Sequence, residues 1–141
     1  MYEGGLRVPF MLQWKGHLPA GQISHVPISS LDLFPTASAA AKSPPPENLD
    51  GANLLPLLHG REFLRPRHPF FWRQARKAAY RQGDWKAVSH NHNAARPMWQ
   101  LFNLADDPAE ARDLAAEQPD RLSALRSAWE MMNSEMADPM F

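Results

Sequence analysis

The sequence predicts an α+β fold, in which a small antiparallel β-sheet of three to four strands is packed by one long C-terminal helix. Two patterns carry this prediction. Apolar residues recur three and four positions apart over about 119–136, which is typical of an amphipathic helix. Two short apolar runs, 77–81 and 85–89, flank a turn at Gly83 and indicate a β-hairpin.

Two further segments complete the predicted sheet. The aromatic run 70–73 reads as a short strand, and 98–104 reads as another. An Asp-Asp-Pro sequence at 106–108 should end the last strand and open a short helix at about 109–115. The long helix carries its apolar stripe on Leu122, Leu125, Trp129, Met132 and Met136.

The first part of the chain predicts a different kind of structure. A nearly continuous apolar run at about 8–14 is typical of a strand buried on both faces. A helix is expected over about 30–41 and a short helix over about 53–59. We therefore divide the chain into residues 1–60 and residues 61–141.

Composition excludes several kinds of function. There is no cysteine, so disulfides, thiolate zinc sites and a cysteine nucleophile are excluded. No stretch approaches the roughly 18 apolar residues that a membrane span needs, so no membrane partner is expected. The N-terminus lacks the pattern of a signal peptide, and the compartment stays open. Fifteen basic residues balance fifteen acidic ones, which excludes binding to nucleic acid through bulk charge.

Charge nevertheless segregates along the chain. Residues 61–86 hold eight Lys and Arg against two Asp and Glu, whereas 106–138 hold nine acidic residues and three arginines. Basic side chains interleaved with aromatic ones could bind single-stranded nucleic acid or another polyanion weakly by stacking. The simpler interpretation is that a basic sheet faces acidic helices, so a nucleic-acid partner is the less favoured alternative.

Two clusters could hold a metal ion. His90 and His92 would point to one side of a strand, but no carboxylate lies near them in sequence, and we interpret them as part of a solvated polar loop. The acidic residues of 106–113 resemble a calcium loop only loosely, because the central glycine of an EF-hand is missing. We interpret them as charge complementing a helix N-terminus.

Seven short motifs occur in order along the chain. They are YEGGLRVP at 2–9, WKG at 14–16, PAG at 19–21, SLDLFPT at 30–36, DGANLLPLLHG at 50–60, RQGDWK at 81–86 and LFNLADDPAE at 101–110. In this order, and with the closing helix, they resemble the late part of a type I sulfatase. Type I sulfatases, which include the arylsulfatases, are formylglycine-dependent hydrolases of the alkaline phosphatase superfamily.

The resemblance implies a layout and an activity class. Residues 1–60 would be the tail of a large α/β domain, a strand–helix remnant, and 61–141 would be the small C-terminal subdomain. The activity of the family is hydrolysis of sulfuric esters. The resemblance marks a set of motif residues that we expect to be structural: Glu3, Gly4, Gly5, Arg7, Asp84, Trp85 and Lys86.

The family's catalytic residues cannot be carried over to this chain. The resemblance places the Cys/Ser-x-Pro-x-Arg nucleophile, the calcium ligands and a sulfate-contacting lysine before the Tyr-Glu-Gly-Gly motif. We therefore expect no catalytic or metal-binding residue and no cofactor in this chain, with calcium only in the full-length parent. Sulfate ester cleavage needs both nucleophile and metal charge, so we expect the chain to be inactive alone.

Two hypotheses follow for the role of the chain. It is a C-terminal fragment of a sulfatase, partnered by the missing N-terminal sulfatase domain or self-associating through exposed strand edges. Alternatively, it is a free-standing interaction module or a partner that completes a sulfatase in trans. The resemblance also implies that the small subdomain leans over the active-site mouth, which makes Arg73, His90 and His92 candidate substrate-facing residues. Relatives are usually periplasmic, secreted or lysosomal, and the sulfated substrate stays open.

Overall fold

The structure, a computed structural model, describes residues 1–63 and 69–137. Within these residues, 1–9 and 69–137 form one compact unit, and 10–63 form a second. The first nine residues therefore pack with the C-terminal sheet. No helix in the described part of the chain is long and apolar enough to cross a membrane.

The predicted antiparallel sheet is confirmed and has four strands. These are β1 (Phe70–Gln74), β2 (Lys77–Gln82), β3 (Trp85–Ser89) and β4 (Trp99–Asn103), which lie side by side in chain order. Each strand is antiparallel to the next. Gly83 adopts φ +60° in the turn between β2 and β3, a conformation that glycine reaches without steric cost.

The predicted C-terminal helix packs on this sheet. This helix, α4, spans Pro119–Ser134 and begins with proline, which suits the first helical position. Its side chains Leu125 and Trp129 are buried against the sheet. The Trp129 ring stacks on Phe71, with centroids 5.5 Å apart, and meets the edge of Trp99 at 5.4 Å. Aromatic packing of this kind fixes the helix across the strands.

The opposite face of the sheet is covered by the N-terminal residues. Residues alternate between the two faces of a strand, so Ala78 faces α4 and Ala79 faces the other side. A short helix, α1 (Glu3–Leu6), follows Met1 and Tyr2, which pack on that second face. The core there consists of Ala79, Val88, Phe102 and Leu104.

The second unit is built on short helices. A 3₁₀ turn at Ser30–Asp32 runs into α2 (Leu33–Ala40), where a helix was predicted over 30–41. The helix α3 (Leu55–Leu58) falls within the range 53–59.

Asp32 ties these pieces together. Its carboxylate accepts hydrogen bonds from the backbone N–H of Ser29 at 2.7 Å and of Ala52 at 2.8 Å. Gly51 passes so close to the 3₁₀ turn that a β-carbon there would overlap the carbonyl of Leu31. Only glycine fits at this crossing.

The strand predicted over 8–14 is wrong, since the structure has no strand there. A lone strand cannot satisfy its backbone hydrogen bonds without a neighbour, and in the described residues no fifth strand joins the sheet of β1–β4. Several apolar side chains of this run therefore lie exposed, among them Val8 at 72%, Phe10 at 47% and Met11 at 92%.

The short helix predicted over 109–115 is also wrong. This segment runs along the outer edge of β4 instead, where the N–H of Leu114 donates to the carbonyl of Leu101 at 2.8 Å. The N–H of Leu101 in turn donates to Asp113 Oδ1 at 3.0 Å. Glu110 adopts φ +55°, which no α-helix accommodates. Hydrogen bonds to an open sheet edge replace those of a local helix, so the acidic residues do not complement a helix N-terminus as we interpreted.

Substituting Gly51 tests the close crossing in the second unit. We expect Gly51→Ala to lower the free energy of unfolding by about 1–3 kcal/mol, because the added methyl group forces the loop away from Leu31. Urea denaturation followed by circular dichroism measures the loss. Gly4→Ala is the matched control, since nothing lies within 4 Å of a β-carbon there. Equal stability of the two variants would contradict the crossing.

Candidate functional site

The most unusual side chain of the structure is Lys86, a lysine on β3 with no exposed surface. Its Nζ lies 2.7 Å from Glu3 Oε1 and 2.9 Å from Glu110 Oε1. It also lies 5.7 Å from the centroid of the Trp72 ring, on the ring's face. A buried ammonium is tolerated only where anionic partners replace its water, and two carboxylates do so here.

A second cation balances these carboxylates. Arg81 Nη1 lies 3.5 Å from Glu3 Oε2, and the backbone N–H of Glu3 donates to Glu110 Oε2 at 2.5 Å. We call Glu3, Arg81, Lys86 and Glu110 the ion cluster. Its two cations and two carboxylates cancel in charge, which is the condition for keeping ions out of water. Because Glu3 and Lys86 are 83 residues apart, the cluster fixes α1 to the sheet.

Tyr2 anchors the same N-terminal segment by its hydroxyl group. The hydroxyl donates a short hydrogen bond to Gln100 Oε1 and lies 2.9 Å from His90 Nε2. Burial, and then the negative charges of Glu110 and Asp113, raise the pKa of Tyr2, so it stays protonated and can donate. The imidazole of His90 is exposed.

The other two predicted substrate-facing residues have structural contacts. Arg73 Nη1 donates to Asn133 Oδ1 at 2.8 Å, and its Nη2 donates to the carbonyl of Ala137, so it holds the end of α4. His92 Nε2 lies 3.1 Å from the carbonyl of Ala75, and its ring lies 4.7 Å from that of Trp129. In the described residues, neither side chain forms a hydrogen bond or a ring contact with His90.

The N-terminal motif residues differ sharply in environment. Glu3 is buried in the ion cluster, whereas Gly4, Gly5 and Arg7 are exposed. A β-carbon on Gly4 or Gly5 would meet nothing within 4 Å, and neither glycine has a positive φ. Nothing in the described residues therefore requires glycine at these two positions.

The second motif, around Lys86, shapes the β2–β3 hairpin. The exposed Asp84 accepts a hydrogen bond from the N–H of Leu104 through its carbonyl, at 2.7 Å. Trp85 faces the α4 side of the sheet, where the guanidinium of Arg121 lies 4.0 Å from its ring centroid. Cation and ring are then in the geometry of a cation–π contact. The hairpin thus places Lys86 and Trp85 on opposite faces.

The basic segment 61–86 does not present a simple charged surface. Lys86 is buried, Arg81 faces Glu3, and Arg73 is bonded to the end of α4. Arg65 and Arg67 lie outside the described residues.

The resemblance implies a calcium ion in the full-length parent, and its ligands would be carboxylate side chains. In residues 1–63 and 69–137 no group of three or more His, Cys, Asp or Glu side chains stands close enough to hold a metal ion. The carboxylates of the ion cluster are engaged by Lys86 and Arg81. The described residues therefore do not fit a calcium site.

Sequence reasoning missed four residues of this site, namely Tyr2, Arg81, Gln100 and Glu110. Tyr2 belongs to a motif, but the sequence indicates no contact for it. Glu110 belongs to the acidic cluster that we interpreted as complementing a helix N-terminus. The one available signal was Lys86 itself, a lysine inside an otherwise apolar strand, which requires a buried acid somewhere in the chain. Sequence alone does not say which acid.

Removing the buried charge tests the ion cluster. We expect Lys86→Met to lower the free energy of unfolding by about 3–5 kcal/mol, because it leaves buried carboxylates without their partner. Urea denaturation measures the loss, and hydrogen exchange of α1 amides shows whether the segment is released. Lys77→Met, at an exposed position of the neighbouring strand, is the control. A Lys86→Met protein with unchanged stability and protected α1 amides would contradict the cluster's role.

A comparison with protein families identifies what kind of domain this is. Residues 1–137 match the family model described as N-sulphoglucosamine sulphohydrolase, C-terminal. The match includes both compact units.

Individual proteins agree with the family match. The chain is 45% identical to human N-acetylgalactosamine-6-sulfatase, in an alignment covering 89% of this chain and 30% of that protein. It is 34% identical to human arylsulfatase A, again over 89% of this chain and 30% of the relative. The chain thus spans about 30% of the length of each of these two relatives.

Solved structures show the same relationship. The crystal structure of Ps i-CgsB in complex with k-i-k-neocarrahexaose superposes with a TM-score of 0.73 at 30% identity, covering 91% of this chain and 29% of that chain. Sequence, family model and fold all point to one part of one kind of enzyme. The chain therefore belongs to the family of sulfatase C-terminal domains that the N-sulphoglucosamine sulphohydrolase model describes.

Proposed function

We propose that this chain is the C-terminal part of a sulfatase and that it works only with the catalytic portion of such an enzyme. That portion supplies the nucleophile and the metal ion, which hydrolysis of a sulfuric ester requires. This chain supplies a rigid sheet unit and a docking surface. The observation that carries the proposal is the exposed apolar run that follows α1.

The composition of this run is typical of a buried strand, yet several of its side chains are exposed. Phe10 is 47% exposed, Met11 92% and Leu12 41%, and the run reads as a strand for the interior of a sheet. Burying one such side chain contributes about 1.5–3 kcal/mol of favourable free energy. Packing of this segment against a partner sheet would therefore stabilise the assembly. The α2 side chains Leu33 and Phe34 are exposed as well. A catalytic portion with an open sheet edge is the partner that fits an apolar, strand-like segment.

The two motif glycines support the same arrangement. Gly4 and Gly5 have open space around them and no conformation that demands glycine. Glycine is also used where another backbone must approach closely. A close approach of the catalytic portion's backbone would explain why glycine occupies these two positions, which the described residues do not explain.

The names of two relatives point to the substrate class. One relative is an N-acetylgalactosamine-6-sulfatase, and Ps i-CgsB has been crystallised in complex with k-i-k-neocarrahexaose. We infer a sulfated sugar as the substrate of the assembled enzyme. The ion cluster then has a positioning role, since it holds α1, and with it the chain around Tyr2, at a fixed place on the sheet.

A chimera tests the proposed function. We expect the 141-residue chain alone to give no turnover of p-nitrophenyl sulfate. We expect activity on N-acetylgalactosamine 6-sulfate when this chain replaces the matched C-terminal region of human N-acetylgalactosamine-6-sulfatase. Turnover by the chain alone, or a folded but inactive chimera, would overturn the proposal.

A matched pair of variants tests the docking surface within that chimera. Replacing Phe10 and Met11 by serine should abolish assembly and activity, because it removes the apolar contact. Met131→Ser is the control, since Met131 is also an exposed apolar residue, at 68%, but lies on α4. Equal activity of both variants would show that the run does not dock.

Of the three predicted substrate-facing residues, His90 is the most accessible for contact with a substrate. Its ring is exposed and its Nε2 contacts the Tyr2 hydroxyl. By contrast, Arg73 is bonded to the end of α4, and His92 contacts the carbonyl of Ala75 in the turn between β1 and β2. In the active chimera we expect His90→Ala to raise KM about threefold to tenfold with little change in kcat, the signature of lost substrate binding. Tyr2→Phe removes the neighbouring hydroxyl and is the control for indirect effects. An unchanged KM would remove His90 from the substrate site.

A further inference from the structure

The two outer edges of the sheet differ in how their backbone groups are satisfied. At the β4 edge, the N–H of Leu101 donates to Asp113 Oδ1 and its carbonyl accepts from the N–H of Leu114. At the β1 edge, no strand or loop of residues 1–63 and 69–137 pairs with the backbone. In this part of the chain, one edge is therefore covered and the other is open.

The register of the sheet identifies the unpaired groups of β1. Gln74 and Lys77 face each other across the two-residue turn between β1 and β2, as the hydrogen-bonded pair that closes the hairpin. Hydrogen bonding alternates along an antiparallel pair, so Trp72 bonds toward β2 whereas Phe71 and Arg73 direct their N–H and C=O groups outward. Neither outward residue has a backbone hydrogen bond to the described residues. The edge thus presents two unpaired donors and two unpaired acceptors.

The strand β1 lacks the features that usually keep an open edge from pairing. It contains no proline, no lysine and no bulge, and its sequence Phe-Phe-Trp-Arg-Gln favours a strand. Its one charge is the guanidinium of Arg73, which donates to Asn133 and to the carbonyl of Ala137 at the end of α4. This charge is therefore held at α4 and does not guard the edge.

A groove beside β1 gives an incoming strand room. Its volume is about 570 Å³, and residues 71–74 form one wall. The other walls are the side chains of Met1, Leu6 and Met136. Unbranched methionine side chains adapt their shape to a neighbour. The groove can therefore pack on a strand that pairs with β1.

We propose that β1 pairs antiparallel with β1 of a second copy of this chain, around a two-fold axis beside Trp72. In this register Phe71 lies opposite Arg73 of the second copy, and Arg73 lies opposite Phe71 of that copy. Each of the two pairs exchanges two hydrogen bonds, so every outward N–H and C=O group of residues 71 and 73 is satisfied. A shift of two residues in either direction leaves one of these residues in each strand without a partner in β1.

The charges and rings of β1 favour a second copy as the occupant. The two arginines do not face each other, because each lies opposite a phenylalanine. The two Trp72 rings become direct neighbours at a non-hydrogen-bonded position, where side chains are closest and aromatic pairs stabilise a sheet. The proposed dimer uses only the β1 edge and does not depend on the proposed function.

Sedimentation equilibrium of the 141-residue chain tests the pairing. We expect a monomer–dimer equilibrium with a dissociation constant between about 10 µM and about 1 mM, because small interfaces give weak complexes. Hydrogen exchange locates the contact. The amide of Phe71 should become protected as the protein concentration rises, whereas the amide of Leu101, which is bonded to Asp113, should be protected at every concentration.

Two substitutions at one position give the matched comparison. Arg73→Pro removes the outward N–H without removing a hydrogen bond to β2, and an edge strand accepts proline in this orientation. Arg73→Ala loses the same side-chain contacts with α4 but keeps the N–H. We expect Arg73→Pro to weaken dimerisation by about tenfold or more, because two of the four intermolecular hydrogen bonds are lost. Arg73→Ala should weaken it less than about threefold, since all four remain.

Three outcomes would overturn the proposal. The first is a chain that stays monomeric at every concentration, and a Phe71 amide that is protected only in the chimera would then assign the edge to the catalytic portion. The second is equal dimerisation of the two folded Arg73 variants. The third is a dimer that is lost on replacing Phe10 and Met11 by serine but kept in Arg73→Pro, which would assign the contact to the exposed run. If Arg73→Pro does not fold, the concentration dependence of Phe71 exchange in the unsubstituted chain decides, and its absence overturns the proposal.

Discussion

The ammonium group of Lys86 is the constraint on which the sheet unit depends. It has no exposed surface and must be neutralised inside the protein, because an unpaired buried charge is far too costly. Its partners come from opposite ends of the chain, Glu3 before the sheet and Glu110 after it. Satisfying one lysine therefore fixes both the N-terminal segment and the loop that follows β4.

The two faces of the sheet are covered for different reasons. On one face, α4 buries Trp129 among aromatic rings in a hydrophobic core. On the other face, Met1 and Tyr2 complete a smaller apolar core beside the ion cluster. The first face stabilises by area removed from water, whereas the second depends on matched charges and is specific for one segment. Specific attachment of α1 is what a domain needs if its position relative to a catalytic portion matters.

The second unit has the opposite character. Asp32 and Gly51 hold the loop around residue 51 tightly against the 3₁₀ turn. Apolar side chains such as Phe10, Met11 and Phe34 nevertheless lie on the surface of this unit. The sheet unit pairs the buried charge of Lys86, whereas the second unit exposes apolar side chains. Under the proposed function, a catalytic portion covers this apolar surface.

The sequence by itself determined the elements whose partners are local. The hairpin around Gly83 and the amphipathic α4 follow from turn chemistry and periodicity, and the order of seven motifs indicated the family. Tertiary structure decided the rest, because distant partners changed the outcome. The run at 8–14 lacks a neighbouring strand, the segment 109–115 bonds to the β4 edge instead of itself, and the partners of Lys86 lie 83 and 24 residues away. Periodicity reports which face a residue occupies, but not which distant residue meets it there.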